Sequence, residues 1–286
     1  MAYIEDKKME WSGNKVDQRT RDRSNYVAGP SASPNILKKY EELLKFVTKD
    51  KSYFSACVFG ATPELRDLVL ELGGALTTVD ISEEMIAKCS QLMRYKDHPR
   101  ETVVIDNWLD NDLPAESFDV VLGDGVSNNA GDLTQQKIFF EKIKNILKPG
   151  GYHVGREGVK DENRKSYSAK EVGEDFLSGK IHWFDVFVNL CFYWEKRSEF
   201  YNESTGKSET KKFWNRLEQE VQKGEFDRQA WEIMSWFRGD LVHTLFPRQF
   251  FDKLYQNYFE MLPIEQVSDY LFTRDSLIFY LGRVKK

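Results

Sequence analysis

Apolar positions change their period along the chain, and each change marks an element. From Asn35, the stretch NILKKYEELLKFV sets Ile36, Leu37, Tyr40, Leu43, Leu44 and Val47 three and four residues apart, which predicts an amphipathic helix. Continuous apolar runs then alternate with amphipathic ones. FSACVFG reads as a strand, and PELRDLVLELG as a helix closed by Gly73 and Gly74. ALTTVD is a second strand, followed by a helix over SEEMIAKCSQLMRY with Ser82 as its cap. TVVID and FDVVLGD supply a third and a fourth strand. TQQKIFFEKIKNIL is a helix ended by Lys148-Pro149-Gly150-Gly151, and YHVGRE is a fifth strand. Short apolar runs separated by helices mean βαβ units and a parallel sheet.

The rhythm breaks after residue 158. Residues 160–257 show no strand pattern and an unusual aromatic density: Phe176, Trp183, Phe184, Phe187, Phe192, Tyr193, Trp194, Trp214, Trp231, Trp236 and Phe237. Much of this stretch reads helical, as in KKFWNRLEQEVQKG. Strand signals return in MLPIEQVSDYLF and SLIFYLGRV, which fit the last strands of the sheet, with an antiparallel hairpin at its edge. The pattern divides the chain into an arm (1–34), an α/β core (35–158), a helical aromatic insertion (159–257) and final strands returning to the core (258–286). Aromatics at helical spacing are mostly core, with a few left to line a pocket.

Bulk composition narrows the class. The chain has 286 residues, 41% of them hydrophobic, enough for a sizeable core, and a net charge of −5. An acidic balance argues against a dedicated nucleic-acid binder. Cys57, Cys89 and Cys191 are isolated, without a CxxC, as in reduced buried thiols. The start MAYIEDKKMEWSGNK has no apolar core of a leader, and no run reaches membrane-spanning length, so a soluble cytoplasmic protein without membrane contact is expected.

Open parallel sheets bind ligands beyond the carboxyl ends of their strands. At the first such end, Gly60-Ala61-Thr62-Pro63-Glu64 opens a helix, with Thr62 placed to cap it and Pro63 at its first position. A helix N-terminus and a glycine suit close ligand approach, but the Glu64 charge sits badly beside a pyrophosphate, which disfavours a dinucleotide. Asp80 ends the second strand, where a carboxylate can accept both hydroxyls of a ribose; the plain alternative is a helix-cap sequence, Asp80-Ile81-Ser82. Asp106, Asn107 and Trp108 end the third strand, suited to an adenine amino group and ring, or to an ordinary turn. Asp124 and Gly125 end the fourth, followed by Asn128 and Asn129. Asp124 is a candidate base or substrate contact, as are His182 and His243 in or beside the insertion; His153 reads as packed. No metal site is expected.

The order of segments resembles the class I S-adenosylmethionine-dependent methyltransferases. The pieces are ACVFGATPE as cofactor turn, LTTVDIS with its acidic strand end, VVIDNWLDNDLPAESFDVVLGDG, and FFEKIKNILKPGGYHV, covering residues 50–158. The turn departs from the family pattern: Val58 stands at the usual acidic position, and Thr62 and Glu64 where glycines are usual. The resemblance implies a Rossmann-like, mostly parallel seven-stranded sheet with helices on both faces. It implies S-adenosylmethionine as cofactor, S-adenosylhomocysteine as product, and a cofactor site built from Gly60, Ala61, Thr62, Glu64, Asp80, Ile81, Asp106, Asn107, Trp108, Asp124 and Gly125. The methionine end has candidate partners in Arg19, Arg21, Arg23 and Tyr26 of the arm and in Arg66, Arg156 and Glu157. The implied reaction is methyl transfer to O or N of a small-molecule acceptor. Alternatives are a non-catalytic cofactor-binding regulator and a methyltransferase of a macromolecule; a homodimer is compatible with all of them.

Overall fold

The structure is a computed structural model, described here for residues 34–235, 238–239, 242–268 and 275–285. A seven-stranded sheet organises it, in the spatial order β3-β2-β1-β4-β5-β10-β9. The strands are β1 (Ser55–Phe59), β2 (Ala75–Asp80), β3 (Glu101–Ile105), β4 (Phe118–Asp124), β5 (Leu147–Gly158), β9 (Phe259–Met261) and β10 (Leu277–Val284). Strands β1 to β5 run parallel, and β10 is antiparallel to both β5 and β9. The strand predicted in SLIFYLGRV is present as β10, but the one predicted in MLPIEQVSDYLF is corrected: the edge strand β9 ends at Met261, residues 262–268 form no strand, and β10 inserts between β5 and β9.

Helices cover both faces. On one face α1 (Pro34–Thr48) and α2 (Pro63–Glu71) pack against β1, β4, β5 and β10 through Tyr40, Leu44, Leu65, Val69, Val154 and Phe279. Helix α3 (Glu83–Ser90) follows β2, with the Ser82 hydroxyl accepting from the Met85 amide as its spacing predicted. It ends earlier than its periodicity suggested, in turns over 91–100. On the other face lie α4 (Leu133–Ile146) and α9 (Arg248–Gln256), whose Phe139, Phe140, Phe251 and Tyr255 meet Cys57, Val121, Ile278 and Tyr280. Asp132 and Gln135 form a reciprocal capping box at the start of α4, which fixes where that helix leaves the β4 turn.

The insertion has a core of its own. Helices α5 (Ala169–Leu177), α6 (Trp183–Phe192), α7 (Thr210–Lys223) and α8 (Arg228–Met234) bury Trp183, Phe187, Phe192, Trp194, Phe213 and Trp214 together. Every side chain of α6 is buried, which explains its nearly continuous apolar run. The expectation that residues 160–257 lack strands is corrected. Strands β6 (Tyr201–Asn202), β7 (Lys207–Glu209) and β8 (Val242–Thr244) form a small antiparallel sheet. Strands this short carry no readable alternation, and β8 is distant in sequence from its partner. Trp236 and Phe237, with the arm, lie outside the described residues. Cys57, Cys89 and Cys191 are buried free thiols, and among the described residues no helix is long and apolar enough to cross a membrane.

Gly282 of β10 lies under α9, where an added Cβ would stand 2.4 Å from the Tyr255 hydroxyl and 2.7 Å from the Phe259 Cβ. A Gly282→Ala substitution therefore overpacks the seam between sheet and helix. It is expected to cost about 1–3 kcal/mol of unfolding free energy in urea titration. An unchanged midpoint would mean this seam is loosely packed.

Candidate functional site

The carboxyl ends of β1, β2 and β3 meet at one place, and the first glycine turn lies there. Gly60 has φ +95°, a left-handed backbone that a side chain would strain, and its amide donates to the Val79 carbonyl at 2.9 Å. Among the described residues, Trp108 alone comes within 4 Å of an added Cβ there, at 4.0 Å. Thr62 occupies the cap position of α2, but its hydroxyl takes no capping bond, unlike the sequence expectation. Pro63 and Glu64 stand in the first turn as predicted.

Asp80 ties this turn to β2. It is 8% exposed, its Oδ1 accepts from the Ser82 amide at 2.8 Å, and the Ala61 and Ile81 amides also hydrogen-bond to it. Burial pushes its carboxyl up to about 6; the amides of Ser82, Ala61 and Ile81 and the Arg66 charge act in the opposite direction. The helix-cap reading of Asp80-Ile81-Ser82 is realised in Ser82, which caps α3, while the Asp80 carboxylate is held at the Gly60 turn by the Ala61 and Ser82 amides. The backbone of Asp106 joins β2 by donating to the Asp80 carbonyl. Its carboxylate accepts from the Asn107 amide at 2.7 Å, and the Asn107 side chain accepts from Leu109. Trp108 donates its indole N–H to the Val79 carbonyl at 2.9 Å and stacks near Phe59, so its ring is fixed beside Gly60. The structure thus brings Gly60, Ala61, Asp80, Asp106 and Trp108 together.

The ends of β4 and β5 form the other half of the mouth. Arg156 grips Asp124 with two hydrogen bonds, Nε to Oδ1 at 2.8 Å and the second nitrogen to Oδ2 at 3.0 Å. Tyr40, wholly buried on α1, donates to Asp124 Oδ1 and the Gly123 carbonyl, at 2.9 and 2.8 Å. A carboxylate with both oxygens engaged this way suits orientation of a ligand better than removal of a proton. Gly125 follows with φ +66° and open space around its added Cβ; its amide donates to the Arg156 carbonyl. Tyr40 escaped sequence reasoning because it fell on the apolar stripe of a helix. Its hydroxyl on a fully buried face was the available signal.

Other candidates separate. His182 caps α6, its Nδ1 accepting from the Phe184 amide while the ring packs on Trp183; burial lowers its pKa. That nitrogen is committed, so His182 is a helix cap rather than a base. His243 lies in β8, next to Thr244, whose carbonyl accepts from Asn128 at 2.9 Å. Arg66 is corrected as a partner of the cofactor's methionine end. It is 1% exposed and bonds Glu101 and Ser90 between α2, β3 and α3, with Thr78 sharing Glu101. Glu157 is wholly buried and accepts from Ser127. Arg19, Arg21, Arg23 and Tyr26 lie outside the described residues. Among the described residues no group of three or more His, Cys, Asp or Glu is placed to hold a metal ion.

A family model described as "Methyltransferase domain" matches residues 58–155. Among solved structures, a putative Zn-dependent alcohol dehydrogenase of Rhodobacter sphaeroides is similar, with TM-score 0.56 and 14% identity over 98% of both chains. The N-methyltransferase NodS of Bradyrhizobium japonicum, bound to S-adenosylhomocysteine, has TM-score 0.52 and 12% identity over 96% of this chain and 98% of that one. A putative S-adenosylmethionine-dependent methyltransferase of Listeria monocytogenes has TM-score 0.52 and 13% identity over 87% and 99%. Identities this low speak for the fold alone. No curated protein matches the chain. The matched domain spans the Gly60 turn, Asp80, Asp106 and Asp124, and S-adenosylmethionine is its cofactor.

The chain's own residues fit that cofactor. Among the described residues Gly60 and Gly125 leave backbone uncovered at two strand ends, and the Asp80 carboxylate is of a kind that can accept sugar hydroxyls. If Asp80 accepts the ribose hydroxyls it must be ionised to do so, and protonation below about pH 6 then competes with binding. Affinity for S-adenosylhomocysteine is expected to fall towards about tenfold per pH unit below that point. Calorimetry from pH 5 to 8 checks this, and Asp80→Asn should flatten the profile; an equal slope in the variant would assign the proton elsewhere.

Proposed function

We propose that this chain, which carries the fold and domain of class I S-adenosylmethionine-dependent methyltransferases, moves the methyl group to an oxygen or nitrogen of a small-molecule acceptor. The observation that carries the reading is a division of the mouth. Gly60, Asp80, Asp106 and Trp108 gather at the ends of β1 to β3, whereas the insertion attaches at β4, β5 and the start of β10. Its anchors are Asn128 to the Thr244 carbonyl, the Val159 amide to the Ser276 carbonyl, and the Tyr193 hydroxyl to the Ser276 hydroxyl. One half of the mouth is left to the cofactor, and the other is roofed by a separately packed unit able to vary with the acceptor.

In this reading the cofactor supplies an activated methyl on sulfur, and the protein aligns the acceptor and excludes water. Asp80 holds the ribose hydroxyls and Asp106 with Trp108 receives the adenine. Asp124, kept in place by Arg156 and Tyr40, orients the methionine end or the acceptor. A neutral amine needs no base to attack; for a hydroxyl acceptor, His243 stands beside the β4 turn as the candidate to take its proton. The net acidic charge and the GDGVSNN turn after β4 give no support to a nucleic-acid acceptor.

Calorimetry should register S-adenosylhomocysteine binding to the wild type and a loss of more than tenfold with Asp80→Ala. Incubation with labelled S-adenosylmethionine and a small-metabolite extract should give labelled product below about 1 kDa. Absence of cofactor binding by the wild type would sink the reading. Binding with label transferred only to protein or RNA would move the acceptor class to macromolecules, and binding without any transfer would favour a regulator.

A further inference from the structure

On the face of β5 that looks towards α4 and α9, His153, Gly155 and Glu157 follow one another at the strand's two-residue period. His153 and Glu157 lean over the glycine between them. An added Cβ at Gly155 would stand 3.0 Å from Glu157 Oε1, 2.9 Å from His153 Cε1 and 3.2 Å from His153 Nε2. Gly155 is paired with Gly123 of β4, so two adjacent positions of the sheet carry no side chain there. At one end, Glu157 Oε2 accepts from the Ser127 hydroxyl at 2.6 Å and from its amide at 3.2 Å. At the other, His153 Nδ1 shares a hydrogen bond with the Tyr255 hydroxyl at 2.9 Å.

Between those ends, bonds are unmet. Among the described residues Glu157 Oε1 is buried with no partner, and so are both polar atoms of Gln136, a wholly buried residue of α4. Phe140 of α4 packs on His153 at 6.3 Å between ring centroids. Helix α4 runs from the carboxyl end of β4 back to the start of β5, so it descends as β5 ascends. Gln136, one turn before Phe140 on the same helix face, therefore stands level with Gly155. Buried amides and carboxyls without partners cost far more than bonded ones, and sites with several such groups hold internal water.

We propose that Glu157 and His153 are joined across Gly155 through one internal water, also held by Gln136, making a continuous polar line Ser127–Glu157–water–His153–Tyr255. The line gives Glu157 a positioning role: it fixes the turn after β4, directly behind Asp124. It also couples the Glu157 proton to the His153 tautomer. With Glu157 protonated, its O–H donates to the water, the water donates to His153 Nε2, and His153 Nδ1–H donates to the Tyr255 oxygen. When Glu157 ionises, one proton leaves to solvent. His153 then carries its proton on Nε2 and donates to the water, the water donates to Glu157 Oε1, and the Tyr255 hydroxyl donates to Nδ1.

The groups around Glu157 agree with a proton held there near neutrality. Burial is the main influence and pushes its carboxyl up to about 8; the Ser127 bonds and Arg156 oppose this, and Asp124 adds to it. Tyr40 beyond Asp124, Tyr255 of α9 and Tyr280 of β10 also face it, and burial raises each phenol above its ordinary value, so they stay neutral. Asp252 and Arg248 stand behind Tyr280. Burial pushes the His153 imidazole down to about 3, so it changes tautomer rather than charge.

Nitrogen-15 NMR of the His153 ring, assigned by its loss in His153→Phe, tests the coupling in the full chain between pH 6 and 9.5. The Nδ1 and Nε2 shifts should exchange character with a midpoint between about 7 and 9, and the change should vanish in Glu157→Gln. An imidazole with constant shifts across that range, or one that titrates unchanged in Glu157→Gln, would overturn the proposal. Should Glu157→Gln not fold, the wild-type Glu157 carboxyl carbon must titrate with the same midpoint as the ring; different midpoints overturn it equally. Neither cofactor nor acceptor enters the measurement, so its result stands apart from the methyltransferase reading.

Discussion

The mouth of this protein depends on the side chain of Asn128. Its Nδ2 donates to the Gly158 carbonyl at 2.8 Å and to the Thr244 carbonyl at 2.9 Å, while its Oδ1 accepts from the Gly158 amide at 2.6 Å. One buried amide thereby joins the turn after β4, the end of β5 and the insertion's small sheet. Backbone groups buried at such a junction need partners, and leaving them bare costs about 1–3 kcal/mol each. Gly158 follows from the same contact. An added Cβ there would stand 2.8 Å from Asn128 Oδ1, so the strand can approach the amide only as glycine.

From that junction the two halves of the molecule take different work. The sheet and its helices form two cores, one on each face, and the insertion packs a third around Trp194, Phe213 and Trp214. The segment from 159 to 257 nevertheless stays joined to the sheet through apolar side chains as well as polar bonds, with Val159, Phe246, Phe251 and Tyr255 sharing the core on the face of α4 and α9. Charge is handled the same way at both halves: carboxylates at strand ends are bonded to backbone amides or to a guanidinium. Asp80 meets the first condition, and Asp124 the second.

The cofactor turn shows how far local chemistry reaches. Gly60 is required by its positive φ, and Pro63 by the first turn of α2, and both were legible from residue type. The missing glycines at Thr62 and Glu64 find an answer only in three dimensions. Asp80 bonds the Ala61 amide and holds the turn against β2, so its shape does not rest on glycine alone. Arg66 shows the opposite. In sequence it is a cation beside a cofactor turn, yet it points into the layer between α2 and β3, where Glu101 meets it at 2.7 Å. Glu101 and Arg66 are 35 positions apart, and no local pattern links them.

By itself, the sequence determined the βαβ alternation of the first five strands, the final strand and the acidic strand ends. These follow from periodicity and from residue types with narrow backbone demands, which act over a few neighbours. The tertiary structure alone decided that β10 slips between β5 and β9, that β8 returns to pair with β7, and that Tyr40, Asp124 and Arg156 meet. It also decided that His182 is a cap and that Glu157 faces His153 across a glycine. Such choices depend on which distant groups are left to satisfy one another once water is excluded, and burial is a property of the assembled chain rather than of any segment.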